Sequence, residues 1–335
     1  MLNSTRSPEV TVIIVNYNGG NLLQNCLASL IRQTCDSFDV IVVDNDSRDG
    51  SIDRLAPLEK NIRVIRLKEN IGFARANNLA ARQTQANWIA LLNPDAIAMP
   101  DWLEQLLLAS RRYPEIAAFG STQINADDPS RLDGAGDVYH AFGIAWRGNA
   151  GKSVGTLPPE GEVFGPCAAA AMFRRRDFLQ VGGFDEAYFC YLEDVDLAFR
   201  LRLAGHRCVQ VPKAEVTHVG SALSGRRSEF TLYHSTRNRV WTFLKNMPLL
   251  LLVFLLPFFV ATHLYSLWRS FRRGTGIVTL RASRDAVSGL GPILVSRRLI
   301  QQSRKLSIAG LVRVLCWSLS KAVSRSAHTW PIKRG

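Results

Sequence analysis

Three acidic groups in this 335-residue chain stand where acids can do chemistry: Asp44-Asn45-Asp46, Asp95 and Glu193-Asp194. The first two follow apolar runs, Phe38-Asp-Val-Ile-Val-Val43 and Trp88-Ile-Ala-Leu-Leu92, that read as buried strands. Pro94 cannot donate to a sheet ladder, so the second strand ends at Asn93-Pro94-Asp95. Asp44 and Asp95 then lie at carboxyl ends of neighbouring strands, where open α/β sheets place their ligands. A carboxylate such as Asp95 suits a divalent cation, Mg²⁺ or Mn²⁺, held against a diphosphate. Asp44 suits hydrogen bonds from a nucleobase or ribose. Asp194, at a helix start, suits a general base for a hydroxyl within hydrogen-bond reach. Acids after strands often only shape turns, and acids at helix starts often only complement the dipole, so no single one decides.

The elements that must position these acids alternate. Val10–Val15 is β-branched and apolar, as in a strand buried on both faces. Asn16-Tyr17-Asn18-Gly19-Gly20 turns the chain, and Asn21 is expected to cap a helix over 22–32. A short helix is expected from Gly50-Ser51, a strand at 62–66, a helix from Asn70 to about 84, a helix capped by Asp101, and a strand at 116–120. Strands and helices joined by short connections predict an α/β class, a Rossmann-like three-layer αβα domain. Residues 121–165 read as irregular loops and 165–173 as a strand or close-packed segment. Glu193 opens a helix ended by Gly205, and 207–211 is a last strand with His218 beyond it.

Charge divides the chain. Residues 1–247 hold 27 Lys+Arg and 27 Asp+Glu, whereas 248–335 hold 14 Lys+Arg and one acid, Asp285, so the net +13 sits in the tail. From Pro248 to Trp268 the chain is nearly uncharged and about long enough to span a bilayer. Basic residues on both sides, with Pro257 and His263 inside, leave a span, a re-entrant or interfacial helix pair, and a helix lying on lipid all open. Residues 306–323 read as a basic amphipathic helix on a membrane surface. The six cysteines form no C-x-x-C pair or zinc spacing. MLNSTRSPEV lacks the apolar core of a signal peptide, so the expected location is the cytoplasmic face of the membrane. The expected division is a catalytic domain over 1–246, in two halves of about 10–120 and 121–246, which the resemblance described next makes the nucleotide-sugar and acceptor halves. A membrane-associating helical region follows over 247–335.

Val12-Ile-Ile-Val-Asn-Tyr-Asn18, Val43-Asp-Asn-Asp-Ser47, Asn70-x-Gly-Phe-Ala74, Leu92-Asn-Pro-Asp95, Gly182-Gly-Phe-Asp-Glu186 and Glu193-Asp-Val-Asp-Leu197 occur in this order. The ordered set resembles the inverting family 2 glycosyltransferases with a GT-A fold, nearest the rhamnosyltransferase-like enzymes of bacterial surface-polysaccharide assembly. The resemblance covers about residues 10–245. It implies that Tyr17 packs against the nucleotide base and Asp44 hydrogen-bonds it. Asn93-Pro94-Asp95 matches the D-x-D metal motif, with Asp95 as metal ligand and Asn93 replacing the first acid. Asparagine can coordinate through its carbonyl but brings no charge. The resemblance makes Asp194 the base and Glu193 its acid-pair or acceptor-side partner. It makes His218 and Arg239, the latter within Arg237-Asn238-Arg239, candidate diphosphate contacts.

The expected activity is inverting, metal-assisted transfer of a sugar from a nucleotide-diphosphate donor, dTDP-rhamnose first, to a hydroxyl of a lipid-linked glycan. A UDP-sugar enzyme with a soluble or protein acceptor is the alternative. A dinucleotide-dependent oxidoreductase would want G-x-G-x-x-G where Asn16-Tyr-Asn-Gly-Gly20 stands. A nucleic-acid partner is not expected, because the Leu/Phe-rich tail suits lipid better than tracking a phosphate backbone.

Overall fold

A computed structural model describes residues 8–55, 62–220 and 228–333. Residues 1–7, which carry most of the MLNSTRSPEV reading, lie outside the described residues. In chain order the elements of the first half are β1 (Val10–Asn16), α1 (Gly20–Ile31), β2 (Phe38–Asp44), β3 (Ile62–Arg66), α2 (Gly72–Gln83), β4 (Trp88–Leu92), β5 (Ala96–Ala98) and α3 (Trp102–Arg112). Then come β6 (Ala118–Asn125), β7 (Leu132–Ala135), β8 (Asp137–His140), β9 (Ile144–Arg147), β10 (Gly161–Glu162), β11 (Ala170–Arg174), α4 (Arg175–Gln180), α5 (Glu193–Leu203) and β12 (Cys208–His218). Helices α6 (Glu229–Asn246), α7 (Leu249–Arg272), α8 (Gly276–Ser288), α9 (Leu290–Gln302), α10 (Ile308–Val314) and α11 (Leu319–Ser324) complete the chain.

The main sheet runs β10-β12-β6-β11-β4-β1-β2-β3, with β5 on β12 and β7 on β6. β1, β2, β3 and β4 are parallel, and β11 enters antiparallel between β4 and β6. β1 is fully buried because its β-branched residues meet α-helical layers on both faces. Val12, Ile14, Leu23, Leu27 and Trp102 pack on one side, and Ile13, Ala76, Ala80 and Phe178 on the other. At roughly 25 cal/mol per Å² of apolar surface removed from water, these two layers dominate the stability of the sheet. The chain leaves β1 toward β2 on one side and returns to β4 on the other, which opens a crevice at the carboxyl edge.

Several local expectations change. Gly19, not Asn21, is the N-cap of α1, and residues 51–55 form turns rather than a helix. Residues 121–165 carry five strands or strand ends instead of loops alone, because β6 runs on to Asn125 and pairs with both β7 and β12. The last strand extends past 211 to His218, with a register shift between Val211 and Glu215. The stretch 306–323 is two short helices, not one. It breaks where Cys316 exchanges backbone hydrogen bonds with Tyr139 and Ala141.

Candidate active site

A cavity of about 830 Å³ opens at the carboxyl edge, lined among others by Tyr17, Asn93, Asp95, Asp137, Arg147, Glu193, Asp194 and His218. Tyr17 is 44% exposed there, so its ring face is free to receive a flat ligand. Asp44 does not line the cavity. It is buried one layer below, accepting from Asn16 Nδ2 at 3.3 Å, while its neighbour Asn45 forms the wall.

Asp95 follows β4 by three residues and is buried. β5 begins at the next residue and pairs with the end of β12, setting Ala96 opposite His218. That pairing brings His218 Nε2 to 3.3 Å from Asp95 Oδ1. On its other side His218 Nδ1 is 2.7 Å from Asp133 Oδ2, and Asp133 also accepts from Arg147 Nη1. Burial alone would lower the His218 pKa, but the hydrogen bonds and charges of Asp133 and Asp95 hold it above the ordinary value. A histidine whose Nδ1 is fixed by a carboxylate presents Nε2 as a ligand atom, the usual arrangement at metal centres. His218 Nε2 is buried beside the Asp95 carboxylate. This donor set, imidazole plus carboxylate, fits a divalent cation.

Across the cavity, Asp194 sits in the first turn of α5. Its Oδ2 accepts from Ala168 N–H at 3.2 Å and its Oδ1 from Val195 N–H at 2.8 Å. Burial raises the Asp194 pKa, and these amide bonds oppose the rise without cancelling it. Burial and then the charge of Asp194 push Glu193 well above the usual carboxylate range, and its Oε2 has no partner among the described residues. Asp137, at the start of β8, is raised by burial and by the same Asp194 charge. A carboxylate with a lifted pKa, close to a channel for substrate, is equipped to accept a proton near neutral pH.

The loop before α5 is unusual. Phe189, Tyr191 and Leu192 have φ of 66°, 65° and 63°, a left-handed conformation that bulky residues avoid. Asn238 of α6, fully buried, donates from Nδ2 to the carbonyls of Tyr188, Cys190 and Tyr191 at 3.1, 2.9 and 2.7 Å. Phe189 also lies against Gly72, where a Cβ would come within 2.6 Å of its ring. Two residues beyond Asp194, Asp196 turns inward to Arg200, Lys245 and Asn246 of α5 and α6 at 2.8, 2.7 and 2.7 Å. Although burial works against it, Lys245 and Arg200 bring its pKa down to about 2.

The model of Glycosyl transferase family 2 matches residues 11–182. The chain belongs to this family. It is a glycosyltransferase of GT-A fold. It is 33% identical over 239 residues to the N-acetylglucosaminyl-diphospho-decaprenol L-rhamnosyltransferase of Mycobacterium tuberculosis strain H37Rv, which covers 64% of this chain and 77% of that one. It is 28% identical over 234 residues to the O-antigen biosynthesis protein RfbC of Myxococcus xanthus, covering 64% of this chain and 18% of that one. Among solved structures it resembles the mannosyltransferase PcManGT of Pyrobaculum calidifontis in complex with GDP-Man and Mn²⁺, with TM-score 0.54, 19% identity, and 92% and 88% of the two chains covered. It also resembles GalNAc-T7 with UDP, GalNAc and Mn²⁺, with TM-score 0.56, 15% identity, and 70% and 48% covered.

In this glycosyltransferase the cavity gathers Tyr17, Asn93, Asp95, Glu193, Asp194 and His218 from sites far apart in sequence. Arg239 is not among them. Its Nε donates to Gly143 O at 2.7 Å and its Nη2 to Thr262 Oγ1 at 2.6 Å, so it joins α6 to the β8–β9 hairpin and α7. Arg237 likewise donates to Ala187 O and Tyr188 O instead of facing a diphosphate. The Arg237-Asn238-Arg239 segment is thus a structural clamp. Asp133, Asp137, Arg147 and Asn238 were not singled out from sequence. Asp133-Gly-Ala-Gly-Asp137 reads as a loop until β6, β7 and β8 fold it beside His218 and Asp194.

Proposed function

We propose that this glycosyltransferase moves rhamnose from dTDP-rhamnose, with inversion, to a hydroxyl of a polyprenyl-diphosphate-linked glycan at the cytoplasmic face of the membrane. The observation that carries the mechanism is one cavity with a half-buried carboxylate, Asp194, facing a carboxylate–imidazole pair, Asp95 and His218. Asp95 and His218 would hold Mg²⁺ or Mn²⁺, which when bound offsets charge on the leaving diphosphate. Tyr17 stacks on the base of the donor, and Asn93 accepts or donates to its ribose or phosphate. Asp44 acts from below by fixing Asn16 and the turn that carries Tyr17. Asp194 removes the proton of the acceptor hydroxyl as that oxygen attacks the anomeric carbon from the face opposite the diphosphate. Burial and the Asp194 charge lift Glu193 and Asp137 well above the usual carboxylate range, so both give up their protons less readily than an ordinary carboxylic acid.

The reading of donor and acceptor is supported by the name of the mycobacterial relative, and the metal by the Mn²⁺ in the two structural neighbours. A donor screen that measures nucleotide diphosphate release tests it, with dTDP-rhamnose, UDP-sugars and GDP-mannose against a synthetic polyprenyl-diphosphate N-acetylglucosamine. Acceptor-dependent dTDP release with inverted product is the expected result. Release from another donor with none from dTDP-rhamnose overturns the sugar assignment. Asp95→Ala is expected to lose metal-dependent donor binding, measured by calorimetry.

A further inference from the structure

The chain before and after α7 folds onto the same body. Before it, α6 carries Asn238 to the loop before α5 and Lys245 to Asp196 of α5. After it, the Trp241 Nε1 of α6 donates to Ala286 O of α8 at 2.9 Å, and Arg297 of α9 donates to Leu244 O and Met247 O at 2.6 Å. Further on, Trp330 exchanges backbone hydrogen bonds with Glu162 at the sheet edge. A helix whose two flanks are both packed on one globular body does not cross a bilayer, although α7 is the one described helix long and apolar enough to do so.

One face of α7 is committed to the protein. Leu251, Leu255 and Phe259 are buried, and Phe259 stacks on Phe243 of α6 at 4.2 Å. Phe258 stacks on Phe142 at 4.8 Å, and Thr262 Oγ1 donates to Phe142 O at 3.3 Å. Gly143 takes φ of 72° where a Cβ would come within 2.5 Å of Phe259. The hairpin held in this way carries Trp146 and Arg147 into the cavity wall. The opposite face is bare. Leu250, Val253, Phe254, Leu264 and Trp268 are each more than half exposed, and Ile277 of α8 continues the surface at 80%. So much contiguous apolar surface on a protein with a solvated body marks a membrane or partner site. Exposed Arg269, Arg272, Arg273, Arg281 and Arg284 rim it, and Asp285 is the single acid of residues 248–335.

We propose that the exposed faces of α7 and α8 form a monotopic docking surface that lies in the plane of an anionic bilayer. The apolar side chains enter the headgroup–acyl boundary and the arginines contact lipid phosphates, as for an in-plane amphipathic helix. Residues 247–335 are on this account a membrane-associating region fused onto the catalytic body. The geometry places the bilayer one helix away from the cavity's β8–β9 wall. The inference rests on the lipid-linked acceptor of the preceding section only for its purpose, because binding to lipid needs neither donor nor acceptor.

The test is co-sedimentation of the full chain with vesicles of phosphatidylcholine and phosphatidylglycerol at 3:1, and with phosphatidylcholine alone. The expected result is stronger partition into the anionic vesicles. The double variant Leu250→Glu, Phe254→Glu, changed at exposed positions and checked for folding by circular dichroism, is expected to lose at least tenfold in partition. In a second measurement, Arg273→Cys on vesicle-bound protein is labelled by a membrane-impermeant maleimide, and the labelled peptide is read by mass spectrometry. Labelling without detergent is expected. Absent vesicle binding, unchanged partition of the double variant, or protection of position 273 until detergent is added would each overturn the proposal. A chain that docks on vesicles but fails the donor screen separates the two readings.

Discussion

At the donor edge of the cavity, positive φ angles fall on Asn18 and Asp46, residues that tolerate the left-handed region through local hydrogen bonds. On the opposite wall they fall on Phe189, Tyr191 and Leu192, which gain nothing locally from it. The donor edge is held by register between adjacent strands: Asn16 pairs with Asp44 across β1 and β2, and Ser47 Oγ, just beyond β2, accepts from Asn18 N–H at 2.9 Å. The loop before α5 is held from a distance, by Asn238 some fifty residues on and by Gly72 more than a hundred residues back. Each such backbone costs about 1–3 kcal/mol and persists only where the surroundings over-determine it. The contrast teaches that the proposed donor site is a property of the sheet, whereas the position of Asp194 is a property of how α6 packs on α5.

Experiments on the second wall are the sharpest way to break this contrast. Asp194→Asn is expected to cost about 10²–10⁴-fold in turnover while the dissociation constant for the donor nucleotide stays near that of the wild type, measured by steady-state rates and calorimetry. A near-normal rate would remove Asp194 as the base. Asp196→Ala is expected to destabilise the fold by about 3–5 kcal/mol, read by urea unfolding, because it leaves the buried Arg200 guanidinium without its carboxylate and Lys245 with Asp185 alone. Asn238→Ala is expected to lower the catalytic rate about tenfold with donor affinity intact, since it releases three carbonyls of the strained loop. If Asn238→Ala weakened donor binding and rate equally, the loop would not be the element it controls.

Two of the three acids of α5, Asp194 and Asp196, titrate in opposite senses. Asp194 lies above its ordinary 3.8, so the acidic limb of the pH–rate profile is expected above the usual carboxylate range, with the rate rising as pH rises and the base ionises. Asp196 lies at about 2, so the stability it contributes is present above pH 3.8 and is lost as pH falls through about 2. Paired rate and unfolding measurements across acidic pH separate these two effects.

Much of the site was legible in sequence because its signals are local. β-branched runs fix buried strands, Pro94 ends one of them, and an acid placed just after a strand faces the carboxyl edge whichever helices cover the sheet. The resemblance supplied roles for Tyr17, Asp95 and Asp194, and those side chains do line one cavity. The reading of Arg239 failed for a physical reason. The resemblance made Arg239 a diphosphate contact through its basic segment, and only the packing of α6 on the β8–β9 hairpin shows that its donors are already used. His218 illustrates the same limit. Its place beside Asp95 depends on β5 pairing with the far end of an eleven-residue strand that sequence ended at 211.

By itself, the sequence determined the alternating α/β elements, the acids at their carboxyl ends and an apolar, basic tail, because periodicity, β-branching and charge act over a few residues. The tertiary structure decided which groups meet: Asp133 behind His218, Asn238 under the strained loop, Lys245 against Asp196, and α7 laid along the body with one face bare. These contacts join segments tens of residues apart, and no local pattern encodes which distant surface will bury a given polar side chain.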